Sequence, residues 1–396
     1  MRVAFLNQFY VPDLSPTAHL CASLAEHRAA QGDEVTVITS RAGYMAPMGK
    51  ASGDHAVRVL RVWSTGLGSR SGLTRLIDWM TFYLHAMLRT ALLPRQDVIV
   101  SMTTPPFIAL AGVLHKLLHP TTRLVLWNMD CYPEALERTG MIAPGGLVAR
   151  IMRASNRALF RTVDHLVALD RAMAELLLSQ YEPRDRKIPC DIIPNWERAS
   201  LFQETGGTAA RQRLTVLYLG NAGYGHEFET MLRAAELLRD DPVTFRFIGG
   251  GAKRHWLASE QRRRNLANIT FEDYVPKEQT PRVMQEAGCA LITLEEQMLG
   301  VMSPSKLHSN LAMGLPILYV GPAGGNVDEA IERFGCGISL RPGQAQEMAG
   351  FIRELMRDPA HHARLRCRAR DAFEQAYSDR RTLPRFDAVL ESLRRT

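Results

Sequence analysis

The sequence predicts an α/β protein made of two doubly wound domains, each built on a parallel sheet. Its 396 residues exceed what a single hydrophobic core normally organises. From the first residue, an apolar strand, a polar loop, a helix and a second strand follow one another. The same alternation starts again near residue 213, where a strand runs into a glycine-containing loop. Two domains of this kind account for both the length and the order of the elements.

The composition is that of a globular protein. Hydrophobic residues make up 46% of the chain and charged residues 22%, which argues against a disordered, collagenous or disulfide-stabilised class. The six cysteines are scattered without a C-x-x-C pair or zinc-ligand spacing, so we expect reduced thiols, mostly buried. The opening residues predict a first strand rather than a signal peptide, and we expect a cytoplasmic protein.

The net formal charge of +7 is concentrated in the first half of the chain. Residues 1–190 hold 21 Lys and Arg against 15 Asp and Glu, whereas the remainder holds 27 against 26. A basic half suits an anionic partner such as nucleic acid, a phospholipid surface or a polyprenyl phosphate. Without a zinc finger or a basic tail, nucleic acid is the least favoured of these. A basic composition without local meaning remains the alternative.

The first domain is assigned to residues 1–193. After the opening strand we expect a helix at 20–31 and a strand at 34–40, with a loop at the carboxyl end of the first strand. Further strands are expected at 97–102, 123–127, 165–169 and 190–193.

The segment 72–93 is long enough to cross a bilayer, but its charged residues make spanning costly. Its apolar residues recur at helical spacing, which leaves two interpretations. The helix either packs on its own sheet or rests on a membrane interface. In the second case Arg70, Arg75, Arg89 and Arg95 would face lipid headgroups.

Residues 194–208 are expected to link the domains, because Pro, Asn, Gly and Thr accumulate there. The second domain, 209–375, should hold a helix at 228–238 and end in a helical region from 344 onward. Its strands are expected at 213–219, 244–248, 269–272, 290–294, 316–320 and 337–340.

The clearest motif is GVMSPSKLHSNLAMG at 300–314. It follows a predicted strand and opens a helix that Ser303 can cap, with Pro304 in the first turn. Such a helix start offers backbone N–H groups, the hydroxyls of Ser303 and Ser305, and the ammonium of Lys306, which suits a diphosphate. An ordinary capped helix with a surface lysine is the alternative.

Two further loops of the second domain are candidates for the same ligand. Gly220, Asn221, Gly223 and His226 follow a strand, and the glycines would let the backbone approach a phosphate. The loop lacks the G-x-G-x-x-G spacing and is weak evidence alone. At the end of another strand, backbone groups of Tyr274 and Val275 could meet a base.

In the first domain, carboxylates lie where ligands of open α/β sheets bind. Asp130 and Glu134 follow the strand 123–127 and are the candidate catalytic residues, because a carboxylate there could orient or deprotonate an acceptor hydroxyl. Capping of the next helix is the alternative. The loop after the first strand adds candidate acceptor-side residues, which are Asp13, Ser15, Thr17 and His19.

In their order and spacing, these pieces resemble a known family over nearly the whole chain. The segments are FLNQFYVPDLSPTAHL, GDEVTVIT, MTTPP, NMDCYPE, IPNW, LYLGNAGYGHEFETML, FIGGGAKR, ITFEDYVPKEQ, SPSKLHSNLAMGLPILYVGP and GCGISL. They resemble GT-B glycosyltransferases of family 4, group 1, and in particular the WbuB-like branch of bacterial surface-polysaccharide enzymes.

The resemblance implies the GT-B architecture, in which two Rossmann-like domains face each other across a cleft. The second domain would bind a nucleotide-sugar donor, UDP-linked by default, and the first would bind the acceptor. Transfer would retain the anomeric configuration, without a catalytic metal or other cofactor. The C-terminal helix, 376–396, would cross back to the first domain.

The sequence departs from the broad family at several positions. The usual pair of glutamates spaced E-x7-E would fall at Val301 and Ser309, so Ser309 is left as a hydrogen-bonding candidate for a sugar or ribose hydroxyl. Asn221 and His226 replace the usual basic residues after the first strand of the donor domain. Much of the positive charge then falls to Lys306, and the catalytic histidine of many relatives is replaced near Asp130.

The function expected from these observations is retaining transfer of a sugar, of the N-acetylhexosamine type, to a glycan acceptor in bacterial surface-polysaccharide synthesis. The acceptor would be soluble or linked to polyprenyl diphosphate, and an anionic membrane surface on the cytoplasmic side is an expected partner. A nucleotide-sugar 2-epimerase and a non-catalytic binding protein on the same fold are the alternatives.

Overall fold

The computed structural model describes residues 1–13, 15–41, 56–67, 72–202, 213–275 and 279–394. The chain divides into two compact units. The first unit comprises Met1–Pro194 and Leu383–Thr396, and the second comprises Asn195–Thr382. The last six of the fifteen residues of the expected linker, 203–208, lie outside the described residues.

The first unit is built on a seven-stranded parallel sheet. Its strands are β1 (Arg2–Leu6), β2 (Glu34–Ser40), β3 (Val57–Val62), β4 (Val98–Ser101), β5 (Arg123–Trp127), β6 (His165–Ala168) and β7 (Cys190–Ile192). The strand order is β3-β2-β1-β4-β5-β6-β7, so the chain reverses its direction of travel through the sheet beside β1. Strand β3 was not expected from the sequence, although VRVLRV is rich in the β-branched and apolar residues typical of strands.

The helices of this unit are α1 (Pro16–Ala30), α2 (Gly72–Ala91), α3 (Ala109–Leu118), α4 (Glu134–Arg138), α5 (Leu147–Phe160) and α6 (Arg171–Tyr181). Helix α1 begins four residues before the expected start, which was wrong. The Ser15 side chain accepts a hydrogen bond from the Ala18 N–H at 3.2 Å and caps the helix, and Pro16 occupies its first turn. Thr17 and His19 therefore lie in the helix rather than in a loop.

Helix α2 buries one side and exposes another. Phe82, Ala86 and Thr90 face the interior, and α2 packs against α3, which in turn packs against α5. Met80, Leu84 and Leu88 are exposed on the outer side. Within the described ranges, none of the helices combines the length and apolar character that a membrane crossing requires.

The second unit holds a six-stranded parallel sheet in the order β10-β9-β8-β11-β12-β13. Its strands are β8 (Leu214–Leu219), β9 (Val243–Ile248), β10 (Ile269–Glu272), β11 (Cys289–Thr293), β12 (Ile317–Val320) and β13 (Gly337–Leu340). Its helices are α7 (Glu229–Leu237), α8 (Arg254–Arg263), α9 (Thr280–Gln285), α10 (Lys306–Ala312), α11 (Asn326–Phe334), α12 (Ala345–Arg357) and α13 (Pro359–Ala372). The predicted fold class, two doubly wound parallel-sheet units, is confirmed.

The last helix, α14 (Asp379–Arg394), joins the first unit from Leu383 onward. Phe386 packs edge-on against Trp127 of β5 at a centroid distance of 4.7 Å. One residue later, the Asp387 carboxylate accepts hydrogen bonds from Arg28 and Gln31 and lies 2.8 Å from the Nε2 atom of His27. Buried Arg28 also binds Asp33, so α14 is fastened to α1 through a shared guanidinium.

We expect Asp387→Ala to loosen this part of α14, because the change leaves the buried Arg28 guanidinium with one carboxylate instead of two. A broken buried pair costs roughly 3–5 kcal/mol, and partial exposure of Asp387 should bring the loss to about 2 kcal/mol. Hydrogen exchange of peptides from 383–394 should speed up accordingly. Glu391→Ala, at an exposed position of the same helix, should leave exchange unchanged. Equal protection in the Asp387 variant would contradict this anchoring role.

Candidate functional site

The loops after β8 and β9 touch each other through their backbones at the carboxyl edge of the second sheet. The Ala222 N–H donates to the Gly250 carbonyl at 2.7 Å. Gly249 has a φ of +127°, and a Cβ atom there would lie 2.3 Å from the Gly220 carbonyl oxygen. Only glycine permits this approach, which holds the predicted loop 220–226 against its neighbour.

His226 joins this loop to the end of β11. Its Nδ1 atom lies 2.6 Å from the Thr293 carbonyl oxygen, so Nδ1 carries the proton and Nε2 keeps its lone pair. The residue is only 4% exposed. Burial, reinforced by the nearby Lys306 ammonium, lowers the pKa of His226 to about 3. The imidazole is therefore a neutral hydrogen-bond acceptor at its Nε2 atom.

The Lys306 ammonium lies near two hydrogen-bond acceptors of this loop. Its Nζ atom lies 3.5 Å from His226 Nε2 and 3.4 Å from the Asn221 carbonyl oxygen. It also lies 4.9 Å from the centre of the Tyr218 ring, within reach of a cation–π interaction. None of the ion pairs among the described residues includes Lys306. Burial lowers the pKa of this ammonium to about 8, since its neighbours are neutral.

Lys253, in contrast, forms contacts that hold the loops of the site together. Its ammonium donates to the His226 carbonyl and to Glu295 Oε1, the latter at 2.7 Å. The Glu295 N–H in turn donates to the Gly225 carbonyl at 2.8 Å. Tyr218, Lys253 and Thr293 were not predicted from the sequence, although they support the site through ring, backbone and ion-pair contacts.

The other predicted donor-side residues occupy different positions. Helix α10 begins at Lys306 with Ser305 as its N-cap residue and without a side-chain capping bond, so capping by Ser303 was wrong. The Ser309 hydroxyl donates to the Lys306 carbonyl of its own helix at 3.3 Å. The Tyr274 ring is half-exposed beside Gly250, where a Cβ atom would lie 3.0 Å from its Cε2. Gly223 and Val275 are half-buried in the loops after β8 and β10.

In the first unit, a threonine hydroxyl organises the carboxyl edge of the sheet. Thr103, in the loop after β4, accepts hydrogen bonds from the N–H groups of Met129 and Asp130 at 3.0 and 3.2 Å. The carbonyl of the next residue, Thr104, accepts from the Gln8 N–H at 2.7 Å. Loops after β1, β4 and β5 are therefore bonded together, which sequence analysis did not anticipate.

Asp130 lines a small cavity at this edge. The cavity wall includes Thr103, Asn128 and Tyr132, together with Asn156 and Phe160 of α5. None of the described residues donates a hydrogen bond to the Asp130 carboxylate. Burial without such a donor raises its pKa to about 6. The side chain is thus a weakly solvated carboxylate that can exchange a proton near neutral pH.

Glu134, the second candidate, faces the interior. It is 3% exposed, and its Oε1 atom accepts a hydrogen bond from the Tyr181 hydroxyl of α6 at 2.5 Å. Its contact is structural, and the cavity that Asp130 lines does not include it.

The acceptor-side candidates build the start of α1. The Ser15 N–H donates to Asp13 Oδ1 at 2.8 Å, and the hydroxyls of Ser15 and Thr17 are 3.4 Å apart. Asp13 and Ser15 are buried, whereas Thr17 and His19 are half-buried.

Comparison with protein families assigns both units. Residues 17–196 match the glycosyl transferase 4-like domain, and residues 213–358 match the glycosyl transferases group 1 model. The chain belongs to this glycosyltransferase family. The resemblance inferred from the sequence is confirmed.

Named relatives and solved structures agree with this assignment. The glycosyltransferase is 25% identical over 388 residues to a protein of Escherichia coli (strain K12) named as the colanic acid biosynthesis glycosyl transferase WcaI, covering 91% of this chain and 94% of the relative. It is 25% identical to the glycosyltransferase WbjE of Pseudomonas aeruginosa, covering 78% of each.

Solved structures show the same fold. Sucrose-phosphate synthase from Thermosynechococcus elongatus matches with a TM-score of 0.77 and 15% identity, covering 99% of each chain. WaaG, a glycosyltransferase involved in lipopolysaccharide biosynthesis, matches with a TM-score of 0.68 and 16% identity, covering 98% of each. These structures are GT-B neighbours, so the GT-B fold class is confirmed.

We expect Gly249→Ala to destabilise the second unit more than Gly343→Ala does. Both glycines have positive φ, at +127° and +94°, so either substitution should cost about 1–3 kcal/mol of backbone strain. A Cβ atom at Gly343 meets nothing within 4 Å, whereas at Gly249 it meets backbone. The thermal unfolding midpoint should therefore fall further for Gly249→Ala. Equal midpoints would show that the two loops do not depend on this close approach.

Proposed function

We propose that this glycosyltransferase moves a sugar from a nucleotide-sugar donor to a glycan acceptor during the assembly of a bacterial surface polysaccharide. The names of its relatives WcaI and WaaG support this role. The structural observation that carries it is the Lys306 ammonium, which lies beside His226 and the Asn221 carbonyl at the carboxyl edge of the second sheet and pairs with no carboxylate in the part of the chain that the structure describes. We propose an N-acetylhexosamine as the sugar and UDP as the nucleotide.

The donor diphosphate would bind at Lys306. The neighbours of this ammonium are neutral, so no ion pair has to break before it binds a phosphate oxygen through a charge-assisted hydrogen bond. Gly220 allows this lysine to lie close, since a Cβ atom there would be 3.3 Å from Lys306 Cε. Tyr274, half-exposed beside Gly250, is the proposed wall for the base or ribose.

Asp130 would act on the acceptor. Its pKa of about 6 leaves most of the carboxylate ionised at pH 7, so it can orient an acceptor hydroxyl or take its proton. In the proposed transfer, the bond from the sugar C1 to the diphosphate oxygen breaks and a bond from C1 to the acceptor oxygen forms. The acceptor proton leaves on Asp130 or on the departing diphosphate, and we propose retention at C1.

An anionic membrane surface remains the proposed partner of the first unit. Met80, Leu84 and Leu88 form an exposed apolar row on α2, with the exposed Arg89 beside it. Basic residues near anionic lipid contribute about 1 kcal/mol each. Two of the arginines expected to face headgroups, Arg70 and the side chain of Arg75, lie outside the described residues.

A thermal-shift screen against UDP-, GDP-, ADP- and dTDP-linked sugars tests the donor class, because a ligand stabilises the native state in proportion to ln(1 + [L]/Kd). Stabilisation by the UDP sugars, followed by transfer to an acceptor glycan with retained anomeric configuration, is the expected result. Turnover of the donor without any acceptor would contradict transfer and indicate epimerisation. A shift with UDP sugars but no transfer to any acceptor would indicate a binding protein.

Lys306→Ala should weaken UDP binding by about 1.5–3 kcal/mol, the range for hydrogen bonds to charged groups. In the parent protein, affinity should fall as pH rises above the lysine pKa of about 8, because the ammonium loses its proton. The Lys306→Ala variant should lose this pH dependence. Titration calorimetry across pH measures both proteins, and an unchanged Kd for Lys306→Ala would refute the phosphate role.

Asp130→Asn should reduce turnover roughly 10²–10⁴-fold while leaving UDP affinity unchanged, because the amide cannot accept the acceptor proton. Since burial raises the carboxyl pKa to about 6, kcat/KM of the parent enzyme should decline as pH falls below that value. Asp185→Asn, at an exposed position of the same unit, serves as the matched control. Loss of UDP binding with intact turnover at saturation would move Asp130 to the donor side.

A further inference from the structure

A second, larger cavity of the first unit lies between strand β3 and helix α2. Its volume is about 480 Å³, in the range of small-molecule sites, whereas the cavity at Asp130 has about 20 Å³. Four strand spacings of about 4.8 Å each place β3 roughly 19 Å from β5, whose carboxyl end carries Asp130. We call this second cavity the β3–α2 groove. One of its walls is the segment 59–63, and the other is formed by His85, Leu88, Arg89 and Leu92.

Two aromatic side chains form a platform in the groove. The rings of Trp63 and His85 meet edge to face at a centroid distance of 5.4 Å, and Trp63 is 49% exposed. The Nδ1 atom of His85 donates a hydrogen bond to the Thr81 carbonyl of the same helix at 2.8 Å. In the neutral ring the Nε2 atom is then an acceptor, and no described residue bonds to it. The groove thus combines an exposed apolar ring with a polar acceptor.

The charges in the wall of the groove have one sign. Arg41, Arg61 and Arg89 line it, and no Asp or Glu is among the described residues that do so. The Arg41 Nε atom donates to the Arg61 carbonyl at 3.1 Å, which holds this guanidinium against the strand. Arg41 and Arg89 are exposed, and neither pairs with a carboxylate within the described part of the chain. The groove is therefore suited to an anionic ligand.

Arg61 connects the groove to the candidate acceptor site. Its guanidinium donates to the Val11 carbonyl at 2.7 Å, in the loop after β1. That loop is bonded to the Thr104 carbonyl, and the neighbouring Thr103 hydroxyl accepts a hydrogen bond from the Asp130 N–H. A ligand in the groove would therefore contact the same network of loops that positions the carboxylate proposed to act on the acceptor.

We infer that the β3–α2 groove binds a saccharide chain that carries carboxylate groups, at a site separate from the cavity at Asp130. The apolar C–H face of a pyranose ring would pack on the Trp63 indole, and the Nε2 atom of His85 would accept from a sugar hydroxyl. The planar guanidinium groups of Arg41 and Arg89 match the two oxygens of a uronate carboxylate. The inference rests on the proposed function in one respect, namely that this enzyme works on a growing polysaccharide.

Two other occupants fit the groove less well. An extended peptide would add to β3 through the backbone groups of its outer edge. The Val62 carbonyl bonds to the Arg41 N–H that follows β2, so the Arg61 carbonyl points to the outer edge, where the Arg41 Nε atom already occupies it. A flat bilayer contacts side chains that project, whereas Trp63 and His85 line a recess.

Two tetrasaccharides that differ in charge test the site on the whole protein. A hyaluronan tetrasaccharide, which alternates glucuronate with N-acetylglucosamine, should bind. The chitin tetrasaccharide, which has no carboxylate, should bind roughly tenfold more weakly, because it lacks the charge-assisted hydrogen bonds. Titration calorimetry measures both affinities, and tryptophan fluorescence reports contact with Trp63. Salt at about 0.5 M should weaken hyaluronan binding alone, since the Debye length then shortens to a few ångströms.

Matched substitutions locate the binding. Arg41→Ala with Arg89→Ala should lower the hyaluronan affinity roughly tenfold and leave the chitin affinity unchanged, because only the carboxylates need the guanidinium groups. Trp63→Ala should lower the affinity for both sugars and abolish the fluorescence change. Two controls should bind as the parent does. They are Arg58→Ala, at an exposed position of β3 that does not line the groove, and Trp256→Ala, at an exposed position of the second unit.

The outcomes are distinct. Hyaluronan binding that survives the groove variants, or equal affinity for the two tetrasaccharides, would overturn the inference. Absence of binding to either sugar would also overturn it, in favour of a peptide or a bilayer at the groove. A parent protein that binds hyaluronan in the groove but does not bind UDP would instead refute the proposed function and leave the groove assignment intact.

Discussion

The hydrogen bond from His226 Nδ1 to the Thr293 carbonyl is the contact on which the site of the second unit depends. It joins the loop after β8 to the end of β11 at the point where the strand order reverses, and such points leave a crevice between diverging loops. The bond also fixes the tautomer, because a ring nitrogen so close to a carbonyl must donate. The free lone pair on Nε2 then faces Lys306, and the position of the lysine follows from the position of the histidine.

In the first unit, a hydroxyl group likewise joins the loops at the carboxyl edge of the sheet. Thr103 and the Thr104 carbonyl bond the loops after β1, β4 and β5 to one another, as His226 and Glu295 bond the loops of the second unit. The two sites carry opposite charges, but burial shifts the pKa of the charged group in both. Burial raises the pKa of Asp130 to about 6 and lowers that of Lys306 to about 8. Both groups are mostly charged at pH 7, but each has a pKa close enough to 7 to gain or lose its proton, as is common for groups at functional sites.

The sequence predicted the fold well because strands and glycine loops have local signals. Parallel strands are continuous apolar runs, and the glycines at 220 and 249 fall where the backbones approach, so both could be recognised from the residues alone. The site was predicted less completely. Glu134 and Asp130 look equivalent in NMDCYPE, but Tyr181, 47 residues from Glu134, binds one of them and leaves the other open. Thr103 and Thr293 act through a hydroxyl and a backbone carbonyl, which no residue pattern reveals. The start of α1 was missed although Ser15 followed by Pro16 is a strong helix signal.

Helix α5 has a buried face and an exposed face that carry different apolar residues. Its buried residues recur at positions 149, 156 and 160, and its exposed apolar residues at 147 and 151 lie on the opposite side. Because the two sets of residues lie on opposite sides of the helix, substitutions at 147 and 151 should leave the cavity intact. Substitutions on the inner face, at Asn156 or Phe160, should instead alter what the cavity accepts, since these side chains form its wall.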